Sequence, residues 1–443
     1  MKAVAPKVSV IAAILIGANA IALSTYRSSS ASSAELRREG SVATGNSLVE
    51  IDRVIAGLER QIKRSPTSSS LDLLARMQLS RGRITGDAAS YARAQAAIVR
   101  SLSIAPKNLE GRTLDAEVRY TNHEFAEARR LSTAIVDEAP GELGALAIQA
   151  DAERELGDYE AAGRTMRRLV GVAGTAPSVI VRDARLSFLT GKSARSVQLG
   201  DLAEQRAELS GLLGATLSFY PSFRGQLAFD TGSYKDAIKH FTRALRIVPG
   251  DRVATLGLAR SLAATGKENA ALALVQELTD RYPDPVAHAF LGDLRTKVGD
   301  RRGANDAYAL VEAVADLSAS NRQVYDRELS LFYANHGRNV AEALRLARSE
   351  AVVRKDVYAY DTLAWAEYKS GNIGDAAAAI RKALSLNTPD SRIHFHAGMI
   401  FSKAGSPAEA RRHLQKALQL SPQFDVLAAD VARAELIRLG GRS

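Results

Sequence analysis

Short glycine-led turns recur along this chain at a nearly constant interval. They read GDYEAA from Gly157, GKSARS from Gly191, GSYKDA from Gly232 and GKENAA from Gly266, then GDRRGA from Gly299, GRNVAEA from Gly337, GNIGDA from Gly371 and GSPAEA from Gly405. Successive glycines lie 34, 41, 34, 33, 38, 34 and 34 residues apart, and His123, in HEFAEA, holds the same place 34 residues before Gly157. Prolines keep the same beat, with Pro106 to Pro140 and Pro249 to Pro283 each spanning 34 residues. A unit this short cannot bury its own hydrophobic face, so a fixed period of this size means supersecondary units stacked in a row. The interval of 41 between Gly191 and Gly232 marks the expected irregularity, either a change of superhelical direction or the meeting of two sub-arrays.

One period gives the content of the unit. In YDTLAWAEYKSGNIGDAAAAIRKALSLNTP, Tyr360, Leu363 and Ala364 recur at helical spacing. Gly371 stops that helix, as glycine does just past a helix end. A second helix carries Ile373, Ala376, Ala377, Ile380, Ala383 and Leu384 on one face, and Pro389 closes the unit. Small residues such as Ala376 and Ala410 stand where two helices must approach closely. Hydrophobic residues make up 46% of the chain and aromatics only 6%, which supplies a core but argues against an all-β fold.

These units resemble tetratricopeptide repeats. HFHAGMIFSKAGSPAEARRHLQKALQLSP matches that pattern through Gly398, Phe401, Gly405, Ala410, Leu414, Ala417 and Pro422. GSYKDAIKHFTRALRIVP matches it through Tyr234, Ala237, Phe241, Ala244 and Pro249. Glu367 departs from it where an aromatic is usual, and Ser193 and Ser196 make the repeat around Gly191 degenerate. The resemblance covers roughly residues 70–422, about nine or ten repeats. It implies an all-α fold, a right-handed superhelical solenoid of antiparallel helix pairs (a TPR array), with first helices lining an inner groove. The last two repeats are also similar to those of exported bacterial members of the family.

The ends read differently. Residues 1–24, MKAVAPKVSVIAAILIGANAIALS, place Lys2 and Lys7 before an apolar run over residues 8–23 and end near Ala18-Asn19-Ala20, a small-x-small pattern. This is either a cleaved signal peptide or a retained membrane anchor. Both place the rest of the chain outside the cytoplasm, in a periplasmic or extracytoplasmic location, with a membrane as partner only if the segment is uncleaved. Residues 25–45 are a serine-rich flexible linker. Residues 46–66 form an N-terminal capping helix with Ile51, Val54, Ile55, Leu58 and Ile62 on one face. The array divides into an N-terminal sub-array, 67–214, and a C-terminal one, 215–422, and 423–443 supply a C-terminal capping helix and tail.

Little in the sequence supports catalysis. There is no cysteine, which removes thiolate chemistry, disulfides and cysteine metal sites. Gly191-Lys192-Ser193 lacks the glycine five residues earlier that a phosphate loop needs, since Leu186 stands there, and helices flank it; no nucleotide is expected. His394 and His396, two apart on a helix, point away from each other and make a poor metal pair. The net charge of +10 is spread along the chain without a basic arm, so nucleic acid is not expected either. The chain is read as a non-enzyme with no cofactor and no metal.

The surface expected to matter is the inner one. On a helical face, Tyr358, Asp361, Trp365 and Tyr368 fall together, followed by Lys369, and the next first helix adds Phe395, Met399 and Lys403. Three of the first four are aromatic, and Trp365 is the only tryptophan. Aromatics rimmed by lysine resemble a protein-recognition patch, which packing of the same rings in the core would explain equally. The expected function is therefore a non-catalytic protein–protein interaction scaffold of the bacterial cell envelope, binding peptides or helices of unknown protein partners in the groove. The alternative is an accessory subunit of an envelope enzyme or transporter that presents a polysaccharide or peptidoglycan substrate.

Overall fold

The computed structural model describes residues 48–85, 88–282, 284–320 and 326–440, and every regular element in them is a helix. The segments expected as signal or anchor (1–24) and linker (25–45) lie outside the described residues. The helices are α1 (Leu48–Arg64), α2 (Ser68–Thr85), α3 (Ala88–Ile104), α4 (Leu109–Thr121), α5 (Phe125–Glu138), α6 (Leu143–Glu155) and α7 (Tyr159–Ala173). Next come α8 (Pro177–Leu189), α9 (Ser193–Leu209), α10 (Gly214–Asp230), α11 (Tyr234–Ile247), α12 (Arg252–Ala263), α13 (Glu268–Arg281), α14 (Pro285–Lys297) and α15 (Arg301–Ser320). The remainder are α16 (Asp326–His336), α17 (Val340–Val353), α18 (Val357–Lys369), α19 (Ile373–Ala383), α20 (Ser391–Lys403), α21 (Pro407–Leu420) and α22 (Ala428–Arg438). From α2 to α21 they pair as antiparallel hairpins, the fold class the period predicts, with α1 and α22 flanking them.

The turn inside each hairpin explains the recurring glycine. Gly157, Gly191, Gly232, Gly266, Gly299, Gly337, Gly371 and Gly405 all hold positive φ, between 62 and 87°. In that conformation the chain returns amide donors to the helix it has just left: Gly371 N–H to Tyr368 O at 3.1 Å and Asn372 N–H to Glu367 O at 2.9 Å. His123 adopts the same conformation, φ 63°, without glycine's freedom.

Small residues act where neighbouring helices cross, within a hairpin or between one hairpin and the next. A Cβ on Gly257 would meet Phe241 Cζ at 2.3 Å, one on Gly292 would meet Tyr308 at 2.2 Å, and one on Gly398 would meet Leu414 Cγ at 2.6 Å. The irregular interval after Gly191 is taken up by lengthening: α9 and α10 each run 17 residues, joined through Gly211 and Gly214, both at positive φ. Glu367, the residue that departs from the family pattern, is 4% exposed and accepts from Arg348 Nε at 3.0 Å and Asn372 Nδ2 at 2.7 Å. Burial there is met by hydrogen bonds instead of an aromatic ring.

The described helices fall into two compact units. One holds residues up to Arg182 together with Leu202–Phe219; the other holds Asp183–Asp201, Tyr220–Ala319 and the residues from Arg327 onward. In the first, α1 buries Ile51, Ile55, Leu58 and Ile62, with Leu58 and Ile62 packed among Leu71, Ala75, Leu79, Ala94 and Ile98. Further along, Asp151 accepts from Arg154 Nη1 at 3.0 Å and Arg182 Nε at 2.9 Å, a buried charge satisfied from two helices.

The second unit closes on itself. Thr388 Oγ1–H donates to Leu189 O at 2.7 Å, a contact 199 residues apart in sequence. One hydrogen-bonded relay ties its other closing point: Gln423 N–H donates to Tyr234 Oη at 2.7 Å, that hydroxyl meets Ser421 Oγ at 2.8 Å, and Ser421 Oγ–H donates to Phe229 O at 3.2 Å. Burial in this relay raises the Tyr234 phenol above its usual range.

Candidate partner-binding surface

The site begins at the entry to α18. Asp356 caps that helix, its Oδ1 accepting from Ala359 N–H at 2.8 Å, and the cap fixes the helix so that Tyr358, Asp361, Trp365 and Tyr368 share a face. Asp390 caps α20 in the same way, accepting from Arg392 N–H at 2.8 Å.

Burial divides the residues expected on this surface. Trp365 is 3% exposed, Asp361 5% and Phe395 5%, so these three belong to the layer packed between neighbouring first helices. The indole Nε1–H donates to Asn335 Oδ1 at 2.8 Å, and the ring stacks on His396 at 4.2 Å and Tyr368 at 5.0 Å. His396 Nδ1–H in turn donates to Asp361 Oδ1 at 2.9 Å. Tyr358, Tyr368, Lys369 and Met399 are half-buried, and Lys403 is exposed. Lys369 Nζ lies 4.8 Å from the Trp365 ring centroid, and burial lowers its pKa. A shared helical face thus contains both a strip turned to the inner surface and a strip turned to the next helix, and spacing alone does not separate them.

Other groups join them on the inner surface. Arg260, on α12, lies over the Phe290 ring at 5.6 Å and makes no hydrogen bond or ion pair to any described residue. Burial lowers its pKa, and the neighbouring Arg392 adds to this. Arg392, at the start of α20, sits 3.8 Å from Asp390 with 54% of its side chain exposed. Asp230, at the end of α10, accepts from Gln226 Nε2 at 2.8 Å, and burial together with Asp390 pushes its carboxyl up to about 7. Burial, then Asp390 and Asp230, hold the Tyr358 phenol well above its usual range. Asp230, Arg260, Asp390 and Arg392 act on one another electrostatically, so charges of both signs from α10, α12 and the start of α20 meet near Tyr358. Sequence reading passed over Asp230 and Arg392 because each falls at a helix end, where a charged residue ordinarily serves the helix itself.

Two histidine arrangements complete the region. His394 and His413 meet Nδ1 to Nδ1 at 2.9 Å, while His396 is held by Asp361, so the two histidines two apart in sequence have separate partners. His336 donates from Nδ1 to Phe332 O and from Nε2 to Asp293 Oδ1, each at 2.7 Å, so it acts as a double donor. Burial opposes that charged form, but the bond to Asp293 prevails and its pKa is raised. Lys192 and Ser193 stand at the turn between α8 and α9, with helix on both sides.

Family models of the tetratricopeptide repeat match residues 228–294 and 362–423, covering α11 through most of α14 and α19 through α21. The chain carries tetratricopeptide repeats. Such repeats are protein-interaction modules, and the coarse role of this tetratricopeptide-repeat chain is that of an interaction scaffold. No curated protein matches the chain. Among solved structures it is similar to a tetratricopeptide repeat protein from Parabacteroides merdae, at 14% identity over 54% of this chain and 93% of that one, with a TM-score of 0.40. It is also similar to PilW, described as a type IV pilus biogenesis factor, at 16% identity over 47% and 93%, with a TM-score of 0.41. A third is YrrB, described as having an unusual peptide-binding site, at 14% identity over 41% and 91%, with a TM-score of 0.31.

Proposed function

We propose that the chain is a non-catalytic scaffold of the bacterial cell envelope that holds segments of partner proteins on the inner surface of its second unit. One observation supports this reading above the others. Arg260 reaches that surface without any ion-pair partner, beside the half-exposed Arg392. A partly exposed guanidinium with no direct ion pair has donors to offer, and a partner's carboxylate would accept from them in a charge-assisted hydrogen bond. Tyr358, Tyr368, Lys369, Met399 and Lys403 border the same region as contact residues, with Trp365, Asp361 and Phe395 supporting them from beneath. Export is read from residues 1–24, where lysines precede an apolar run.

The test is crosslinking in native membranes, comparing wild type with an Arg260→Glu, Arg392→Glu variant of unchanged helicity. Loss of specific proteins from the variant supports the inner surface as the binding site. Identical recoveries place binding elsewhere, and recovery of no protein by either form counts against a scaffold. The alternative, an accessory subunit of an envelope enzyme or transporter that presents a polysaccharide or peptidoglycan substrate, would draw on the aromatics of the same region, of which Trp365 already stacks on His396 and Tyr368.

A further inference from the structure

The connection between α21 and α22 packs into the second unit at several places. Residues Ser421-Pro422-Gln423-Phe424-Asp425-Val426 form this non-helical connection. Ser421 and Gln423 are tied to Phe229 and Tyr234 through the relay described above. Phe424, 8% exposed, places its ring 5.6 Å from that of Phe395 in the cluster that holds Trp365. Val426 packs against the cluster of Phe290, Leu291 and Leu294 on α14, and Asp430 pairs with Lys297 at the end of that helix.

Asp425 lies between these apolar anchors. Its Oδ1 accepts from Leu427 N–H at 2.9 Å and Ala428 N–H at 2.8 Å, capping α22. Its charge also acts on Arg260, His336 and the phenol of Tyr308. Asp293 acts there with the same sign, on His336 and Arg260. Asp425 forms no ion pair with either cation, and Arg260 keeps its donors unused.

We propose that this surface recognises an extended protein segment with an aromatic, an acidic and a branched aliphatic residue in succession, and that Phe424-Asp425-Val426 is its resident copy, displaced by a partner segment of the same chemistry. The proposal rests on the scaffold reading and specifies its ligand. Three features set the pattern: the Phe395 ring beside Phe424, the apolar patch on α14 against which Val426 packs, and Arg260, on which the charge of Asp425 acts without a direct ion pair. The resident copy is tethered, so it competes at an effective concentration on the order of millimolar, and a free peptide meets a blocked site in the wild type. Weakening the resident copy opens the site.

The experiment uses the full chain and a fluorescent synthetic peptide of sequence SPQFDVLAAD. Binding is compared between wild type and a Phe424→Ala, Asp425→Ser variant, in which serine keeps the helix cap but removes the charge and the ring. Circular dichroism and Trp365 fluorescence establish that each form is folded. The expected result is binding at least about ten-fold tighter by the variant than by wild type. A control peptide with serine in place of both phenylalanine and aspartate should bind neither. Equal binding of peptide and control, or a folded variant that binds no better than wild type, overturns the proposal.

Tyr234→Phe provides a second variant, since it keeps the ring and deletes only the hydroxyl that holds Ser421 and Gln423. It should improve peptide binding in the same direction, and it decides the matter by the same criteria should the double variant unfold. If the peptide fails while crosslinked partners are still lost from the Arg260→Glu, Arg392→Glu variant, the ligand chemistry is wrong and the scaffold reading stands. If both fail, the inner surface itself is the wrong site.

Discussion

His394 and His413 face each other Nδ1 to Nδ1 at 2.9 Å, which requires one ring to donate and the other to accept. Two imidazolium rings cannot satisfy that contact. Burial, joined by His413, Lys416 and Arg412 around His394 and by Arg412 beside His413, pushes both rings down to about 4, with Asp361 and Glu409 acting weakly the other way.

This gives a pH dependence with a definite sign. The unfolded chain takes up these protons near pH 6.5 and the folded chain only near 4, so the unfolded form binds more protons in between. The pair's contribution is present in full above about pH 6.5 and is lost as pH falls toward 4, with a slope of up to about 1.4 kcal/mol per pH unit for each ring. Urea unfolding followed through Trp365 at pH 7.5, 6 and 5 should show this loss, and His413→Gln should flatten it. Equal slopes for the two proteins would show that the pair does not titrate as argued.

The glycine at a helix crossing can be tested against a glycine that touches nothing. An added Cβ on Gly292 would overlap the Tyr308 ring, which cannot swing aside freely because its hydroxyl donates to Asp293 Oδ1 at 2.9 Å. Gly292→Ala should therefore cost about 1–3 kcal/mol. Gly374, within α19, has nothing beyond its chain neighbours and its own helix backbone within 4 Å of such a Cβ. Gly374→Ala should be neutral or stabilise by about 0.5–1 kcal/mol, through helix propensity. Denaturant midpoints of the two variants check the contrast.

His123 should be replaceable with benefit. Its φ of 63° matches the eight turn glycines, and a side chain in that conformation costs on the order of 1 kcal/mol. His123→Gly relieves this strain but gives up the ring's stacking on Phe125 at 5.4 Å. A net gain of about 0.5 kcal/mol is expected, read as a small rise in thermal midpoint. A fall in midpoint would mean that the stacking outweighs the strain.

Trp365 and Lys403, read from sequence as parts of one patch, should behave as opposites. Trp365→Ala empties a buried site and abandons Asn335, at a cost of about 3–5 kcal/mol. Lys403→Glu on the exposed end of α20 should change stability by less than about 0.5 kcal/mol. Iodide should quench the indole of the folded protein poorly, whereas free access of iodide would refute its burial.

The helices and their turns were legible because they repeat. Gly371 and its counterparts report a backbone conformation directly, and even His123 could be placed by interval alone. The apolar face of α1 was legible for the same reason, with Ile51, Ile55, Leu58 and Ile62 at helical spacing. The candidate surface was legible only in part, since Tyr358 and Trp365 share a face while only the former reaches inward. Least legible were contacts such as Tyr234 with Ser421, 187 residues apart. Tyr234 belongs to the repeat pattern, but that pattern does not pair it with Ser421, and their meeting follows from small rotations accumulated over many hairpins. The aspartate caps, Asp356 and Asp390 among them, were less legible, because an aspartate outside a helix serves turns and surfaces as readily as caps, whereas the turn glycines recur at a fixed interval.

Arrays of stacked repeats are ordinarily open-ended, and a duplicated unit lengthens them without penalty elsewhere. The bond from Thr388 to Leu189 and the relay through Tyr234 remove that freedom here. One extra hairpin inserted between α12 and α18 would carry Thr388 and Ser421 past their partners by a full unit, and one hairpin fewer would leave them short. The number of repeats between these points is therefore a fixed dimension of the protein, and its lineage should tolerate substitutions in that stretch far more readily than gains or losses of whole units.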